Sequence, residues 1–115
     1  MFEAKNEGAI MTIIAPEILD SEQAEIFKQH SNAWLLNPVD SYVIDYAKTN
    51  VIKRPFYQAF LQFRSVVKNS NKAVFSINLA PTLLKQIKND GMNISFSPLS
   101  GINEVQKKTE SLRKN

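Results

Sequence analysis

The apolar positions change period several times along the chain, and each change predicts a new element. Ala9 to Ile14 (AIMTII) is a short apolar run of the kind a buried strand carries. Asp20, with Gln23 three residues on, has the spacing of a capping box. It predicts a helix from about Ser21 to Leu36, with Ala24, Phe27, Ser31 and Trp34 on one face. Asn37 and Pro38 stop it. Ser41 to Ala47 reads as a second strand, and its contiguous Tyr42, Val43 and Ile44 suit a strand covered on both faces. Pro55 is favoured in a first helical turn and opens the next helix. That helix has the strongest stripe in the chain: Phe56, Ala59, Phe60, Phe63, Val66 and Val67. Asn69, Ser70 and Asn71 end it.

Ala73 to Asn78 follows as a third strand. Pro81 opens a short helix carrying Leu83, Leu84 and Ile87, and Gly91 closes it in the manner of a left-handed cap. Asn93 to Ser97 reads as a fourth strand, with Ile94 and Phe96 on one side. After a turn at Pro98, Ser100 and Gly101, a last helix places Ile102, Val105, Thr109 and Leu112 on one face. Met1 to Gly8 have little period and are assigned to no element. Strands alternating with helices of this length predict an α/β fold. The expected architecture is a mixed, mostly parallel sheet of four or five strands with about four helices packed on it. Crossovers of one hand leave few topologies.

A chain of 115 residues, 43% hydrophobic and 22% charged, fits one soluble globular domain over residues 1–115, with its core at about 9–106. There is no cysteine, which removes disulfides, thiolate nucleophiles and Cys-ligated metals. Glu3 and Glu7 stand where a signal peptide would be positive, and no apolar run reaches the roughly 20 residues of a membrane span. The predicted location is the cytoplasm. The net charge of +3 owes much to Lys107, Lys108, Arg113 and Lys114, in a basic C-terminal helix or tail at about 102–115. That tail reads as a solvated helix. No basic segment is interleaved with stacking aromatics, so nucleic acid is not an expected partner.

Enzyme chemistry finds little support. The single histidine, His30, lies four residues before Trp34, which favours an aromatic contact on the helix flank over catalysis or metal binding. Asp40 and Asp45 make a poor carboxylate pair. Gly8, Gly91 and Gly101 form no phosphate-binding loop. No catalytic, cofactor or metal residue is assigned. The distinctive feature is the junction Lys53-Arg54-Pro55, between a strand and the strongest helix. Cations there are opposed by the helix dipole, so local stability gives no reason for them. They either extend into water or present a surface to an anion. Arg64 and Lys68 either widen that basic face or keep the helix wet. The hydroxyls of Ser41, Thr49 and Tyr57 read as structural.

The order and spacing of PEILDSEQAEIF, Val43-Ile44-Asp45, FSINLAPTLLKQI and NISFSP, with a final helix starting near Asn103-Glu104-Val105, resemble the STAS domain family. This is the fold of bacterial anti-sigma factor antagonists such as SpoIIAA, of stressosome subunits and of the cytosolic parts of some transporters. The resemblance spans roughly residues 9–106. In the family, an aspartate, a phosphorylatable serine and small residues form the loop before the second helix. Those positions look like Lys53, Arg54, Pro55 and Phe56 here, so the resemblance implies a member without the serine switch. It implies a non-catalytic bacterial regulatory domain that works by partner switching and protein–protein contact. The contact would run through Thr49, Lys53, Arg54, Pro55, Tyr57 and Gln58. The implied partner is a kinase-like anti-sigma factor, or a second copy in a homodimer. An accessory subunit of an ABC lipid transporter is one alternative. A small-ligand sensor, with Phe56, Phe60, Phe63 and Trp34 lining a pocket, is another.

Overall fold

The computed structural model describes residues 1–113. Strands β1 (Glu3–Glu7), β2 (Ile10–Ile14), β4 (Ser41–Asp45) and β6 (Ala73–Ile77) form one sheet in the order β1-β2-β4-β6. Strand β1 is antiparallel to β2, and the remaining pairs are parallel. A two-stranded parallel ribbon joins β3 (Ile18–Leu19) to β5 (Val51–Ile52). The helices are α1 (Ser21–Trp34), α2 (Arg54–Asn69), α3 (Pro81–Asn89), the single-turn α4 (Asn93–Phe96) and α5 (Ile102–Arg113). The mixed, mostly parallel sheet is the expected one. The aperiodic N-terminus is its antiparallel edge, and Gly8, at φ +62°, makes the turn into β2.

Both faces of the sheet are covered, which is why β4 is apolar without alternation. Tyr42 and Ile44 join Met11, Ile13 and Val74 beneath α1 and α2, while Val43 joins Ile10, Phe75 and Ile77 beneath Val105 of α5. Helix α2 carries the main load. Phe56, Ala59, Phe60, Phe63 and Val67 are buried as the stripe predicted, but Val66 is exposed. Each large side chain so buried contributes roughly 1.5–3 kcal/mol. Phe27 of α1 meets Phe56 and Phe63 edge-on at 5.2 and 5.4 Å, and Phe2 stacks behind Phe56 at 6.5 Å. The four rings weighed as a pocket lining, Phe56, Phe60, Phe63 and Trp34, are buried and pack against other rings. His30 stacks on Trp34 at 5.9 Å, as its spacing suggested.

Helix starts and stops follow the sequence with three corrections. Asp20 caps α1, accepting the Gln23 N–H at 3.0 Å, but the Gln23 side-chain oxygen is buried without a partner among the described residues. Only half of the capping box forms. Helix α1 ends at Trp34 rather than Leu36, because the Asn37 side-chain amide donates to the carbonyls of Ala33 and Trp34. Asn93–Ser97 is not a strand. Phe96 donates its N–H to the Met92 carbonyl at 3.0 Å, so Met92 and Phe96 are buried at helical spacing. That pair outweighs the alternation of Ile94 with Phe96, and Ile94 is left 82% exposed. Ser97, at φ +48°, then turns the chain so that only Pro98 bridges to β6, at Ser76. On α5, Val105 and Thr109 are buried, whereas Ile102 and Leu112 are half exposed. Thr109 hydrogen-bonds the fully buried Ser41 hydroxyl at 2.8 Å. Of the basic tail, Lys107 and Lys108 are exposed and Lys114 lies outside the described residues.

Candidate functional site: the corner between β5 and α2

The chain leaves β4 at Asp45, crosses residues 46–50, and enters β5 before turning into α2. This corner is held by backbone. Asn50 and Val51 donate to the Glu17 carbonyl at 2.8 and 3.3 Å, and Lys53 donates to the Leu19 carbonyl at 2.9 Å. Thr49 fixes the turn. Its N–H donates to the Tyr46 carbonyl at 2.9 Å, and its hydroxyl donates to the Pro16 carbonyl at 2.8 Å. At 3% exposure, Thr49 is therefore a tether and not a contact residue, which corrects its place in the expected surface.

Lys53 occupies the N-cap of α2, with an extended backbone (φ −104°, ψ 159°) and no side-chain cap. No acidic residue stands in the first turn. Pro55 has no N–H, and Phe56 donates its own to the Lys53 carbonyl at 3.0 Å. The backbone donors that a helix start can offer an anion thus reduce here to little beyond the Arg54 N–H. Any anion would be held mainly by the two side chains. Lys53, Arg54, Pro55 and Gln58 are exposed, and neither cation has an ion-pair partner among the described residues. Val51 and Leu61, at 37% and 39% exposure, and Ile18, paired with Val51 in the ribbon, add apolar surface.

Tyr57 differs from the expectation. Its ring is 8% exposed and stands edge-on to Phe96. Its hydroxyl donates to the Asp90 carboxylate at 2.7 Å and accepts from the Gln86 amide at 3.0 Å. Gln86 also donates to the Ile52 carbonyl at 2.7 Å. Burial first, and then the Asp90 hydrogen bond, push the Tyr57 hydroxyl up to about 12, while Gln86 and the Arg54 charge pull it down. One network thereby ties the start of α2 to β5 and to the end of α3. Gln86 and Asp90 lie about thirty residues beyond the junction, and no local signal marks them as its supports. Arg64 and Lys68 do not widen the corner. They stand ten and fourteen positions along α2, about 15 and 21 Å from Arg54 at roughly 1.5 Å per residue.

No helix among the described residues is long and apolar enough to cross a membrane. No protein-family model matches the chain, and no curated protein matches its sequence. Solved structures do match. The Thermotoga maritima protein TM1081 superposes with a TM-score of 0.84 at 11% identity, covering 95% of this chain and 94% of that one. An anti-sigma factor antagonist from Mycobacterium paratuberculosis gives 0.82 at 10% identity, over 96% and 93%. The anti-sigma factor antagonist SpoIIAA in its unphosphorylated form gives 0.71 at 12% identity, over 96% and 98%. The fold of this chain is that of the STAS domains.

Proposed function

We propose that the chain is a non-catalytic regulatory domain that binds another protein through the β5–α2 corner. The observation that carries this reading is the pair of exposed cations at an uncapped helix start. They are displayed on a corner whose backbone is fixed by the ribbon and by the Tyr57–Gln86–Asp90 network. Such cations act against the helix dipole, so the fold gains nothing from them. Val51 and Leu61 supply an apolar surface beside a charged rim, the composition of a protein-binding patch. The matching partner surface is acidic. Anti-sigma factor antagonists among the similar structures support the regulatory setting by analogy of fold. SpoIIAA has been solved in phosphorylated and unphosphorylated forms. In this chain Arg54 and Lys53 offer no hydroxyl at the corner, so its binding is proposed to be independent of serine phosphorylation there. The partner switching of the family would then be set by the partner's abundance or state.

The test is affinity purification of the tagged chain from its native cells, beside the Lys53→Ala/Arg54→Ala variant, with mass spectrometry of what is retained. The expected result is a protein retained by the native chain, released by salt and lost from the variant. Equal retention by both chains would refute the corner as the docking site. Recovery of a transporter ATPase, rather than a kinase-like regulator, would move the chain to the transport setting.

A further inference from the structure

A second surface lies at the edge of the sheet that β1 forms. This strand is the outermost on its side and has a neighbour, β2, on one flank only. The main chain shows which of its residues are free. The Ala9 carbonyl accepts from Asp40 and Ser41, and the Ala15 N–H donates to the Asp45 carbonyl. The odd positions of β2 therefore face β4, and Ile10, Thr12 and Ile14 face β1. Their partners there are Glu7, Lys5 and Glu3, whose backbone groups are used in that pairing. By alternation, Ala4 and Asn6 turn their N–H and C=O groups outward. Both residues are exposed, and neither makes a main-chain bond to anything beyond β2 among the described residues. The side chains alternate too. Glu7 lies opposite Ile10, which belongs to the face covered by α5, so Glu3, Lys5 and Glu7 form a row on that face. Lys5 bridges Glu7 at 3.4 Å.

We infer that the open edge of β1 pairs with β1 of a second copy of the chain, antiparallel about a two-fold axis at Ala4. Few registers set outward positions opposite one another. Centring the pair on Lys5 sets Lys5 against Lys5 and Glu3 against Glu7, all like charges. Centring it on Asn6 requires Ala4 to pair with Gly8, which lies in the turn at φ +62° and is not extended. Centring it on Ala4 sets Glu3 of each copy against Lys5 of the other. Those are non-hydrogen-bonded positions, where facing side chains come closest. Opposite charges there stabilise a strand pair, and like charges oppose it. Each Lys5 then stands between Glu7 of its own strand and Glu3 of the other. Charges on an edge strand ordinarily keep other strands away. Here their alternating signs make the edge complementary to itself, as a two-fold contact of identical patches requires. That complementarity selects a second copy over a foreign strand, and the two four-stranded sheets become one. The surface is separate from the β5–α2 corner, and the inference does not depend on that site.

Sedimentation velocity of the chain without an N-terminal tag, over a range of concentrations, measures the association. A monomer–dimer equilibrium is expected, weakening as salt rises. Hydrogen exchange should show the Ala4 and Asn6 amides gaining protection as concentration increases. Glu3→Lys and Lys5→Glu each place like charges opposite one another, and each should weaken the dimer at least about tenfold. Both positions are exposed, and thermal melting checks that the variants are folded. Mixing the two variants restores opposite charges at both facing positions, so the mixture should dimerise where neither variant does alone. The Lys53→Ala/Arg54→Ala variant should dimerise as the native chain does. Four results would overturn the inference: a native chain monomeric at every concentration up to that of an NMR sample, single variants that dimerise like it, a mixture that stays monomeric, or concentration-dependent protection centred on residues 51–58.

Discussion

Lys53→Asp should stabilise this protein, and the two long helices show why. Helices α1 and α2 begin with the same backbone gesture. Asp20 (φ −100°, ψ −168°) and Lys53 (φ −104°, ψ 159°) are both extended N-cap residues. In α1 the aspartate accepts the N–H three residues on, at 3.0 Å. In α2 the equivalent N–H belongs to Phe56 and has only the Lys53 carbonyl. An aspartate at position 53 would supply the missing acceptor, worth about 1 kcal/mol. Exchanging a cation for an anion at the positive end of the helix adds about 0.6–1 kcal/mol, taken low because the site is exposed. The sum is about 1.5–2 kcal/mol. With an unfolding entropy near 2.1 cal/mol/K per residue, that is a rise of about 6–8 °C in Tm. Circular dichroism melts and urea titrations measure it. Lys53→Ser supplies the cap and removes the cation without adding an anion, so it should deliver about three quarters of the gain with a weaker salt dependence. A Lys53→Asp protein melting at or below the native temperature would refute the argument, because it would mean that Lys53 stabilises the corner. If the argument holds, the native residue sacrifices stability at the proposed binding surface.

The Tyr57 network gives a pH prediction. The hydroxyl's pKa is raised from 10.0 to about 12 in the fold, so its contribution is complete below pH 10 and lost as pH rises through about 12. The difference in urea stability between the native chain and Tyr57→Phe should shrink across that interval; a constant difference would refute it. The buried Ser41–Thr109 pair predicts coupling: Thr109→Val leaves the Ser41 hydroxyl unpaired and should cost about 1–3 kcal/mol. Adding Ser41→Ala should then cost less than the two single changes summed, as a double-mutant cycle would measure.

How much of this was legible in the sequence follows from the range of the forces involved. The stripe on α2 and the doubly covered β4 are encoded within ten or so neighbours, and both appear as read except that Val66 lies outside the buried stripe. The N-terminal strand was invisible because its five residues are all exposed, and only Phe2 reaches the core. Its pairing with β2 is a backbone matter that leaves no side-chain period. The fourth strand was misread because Ile94 and Phe96 alternate, while the decisive contact is between Met92 and Phe96 and rests on the rings of α2. At the corner, Lys53, Arg54 and Pro55 stood out as an unusual junction, and the structure leaves them and Gln58 exposed. Thr49 and Tyr57 were not separable from it, because their hydroxyl partners, Pro16 and Asp90, each lie 33 residues away. Nothing local announces such bonds.

The two faces of the sheet are unequally sealed. Beneath α1, α2 and α3 lies a large aromatic cluster, whereas α5 is fastened to the reverse face by Val105 and the Thr109 hydroxyl over only Ile10, Val43, Phe75 and Ile77. Opening energies follow the apolar area that each unit hides. The molecule therefore has a built-in order of loosening. Helix α5 is expected to lift away first, baring Val43 and Phe75 while the aromatic side stays closed, and hydrogen exchange would then find its amides opening before those of α2.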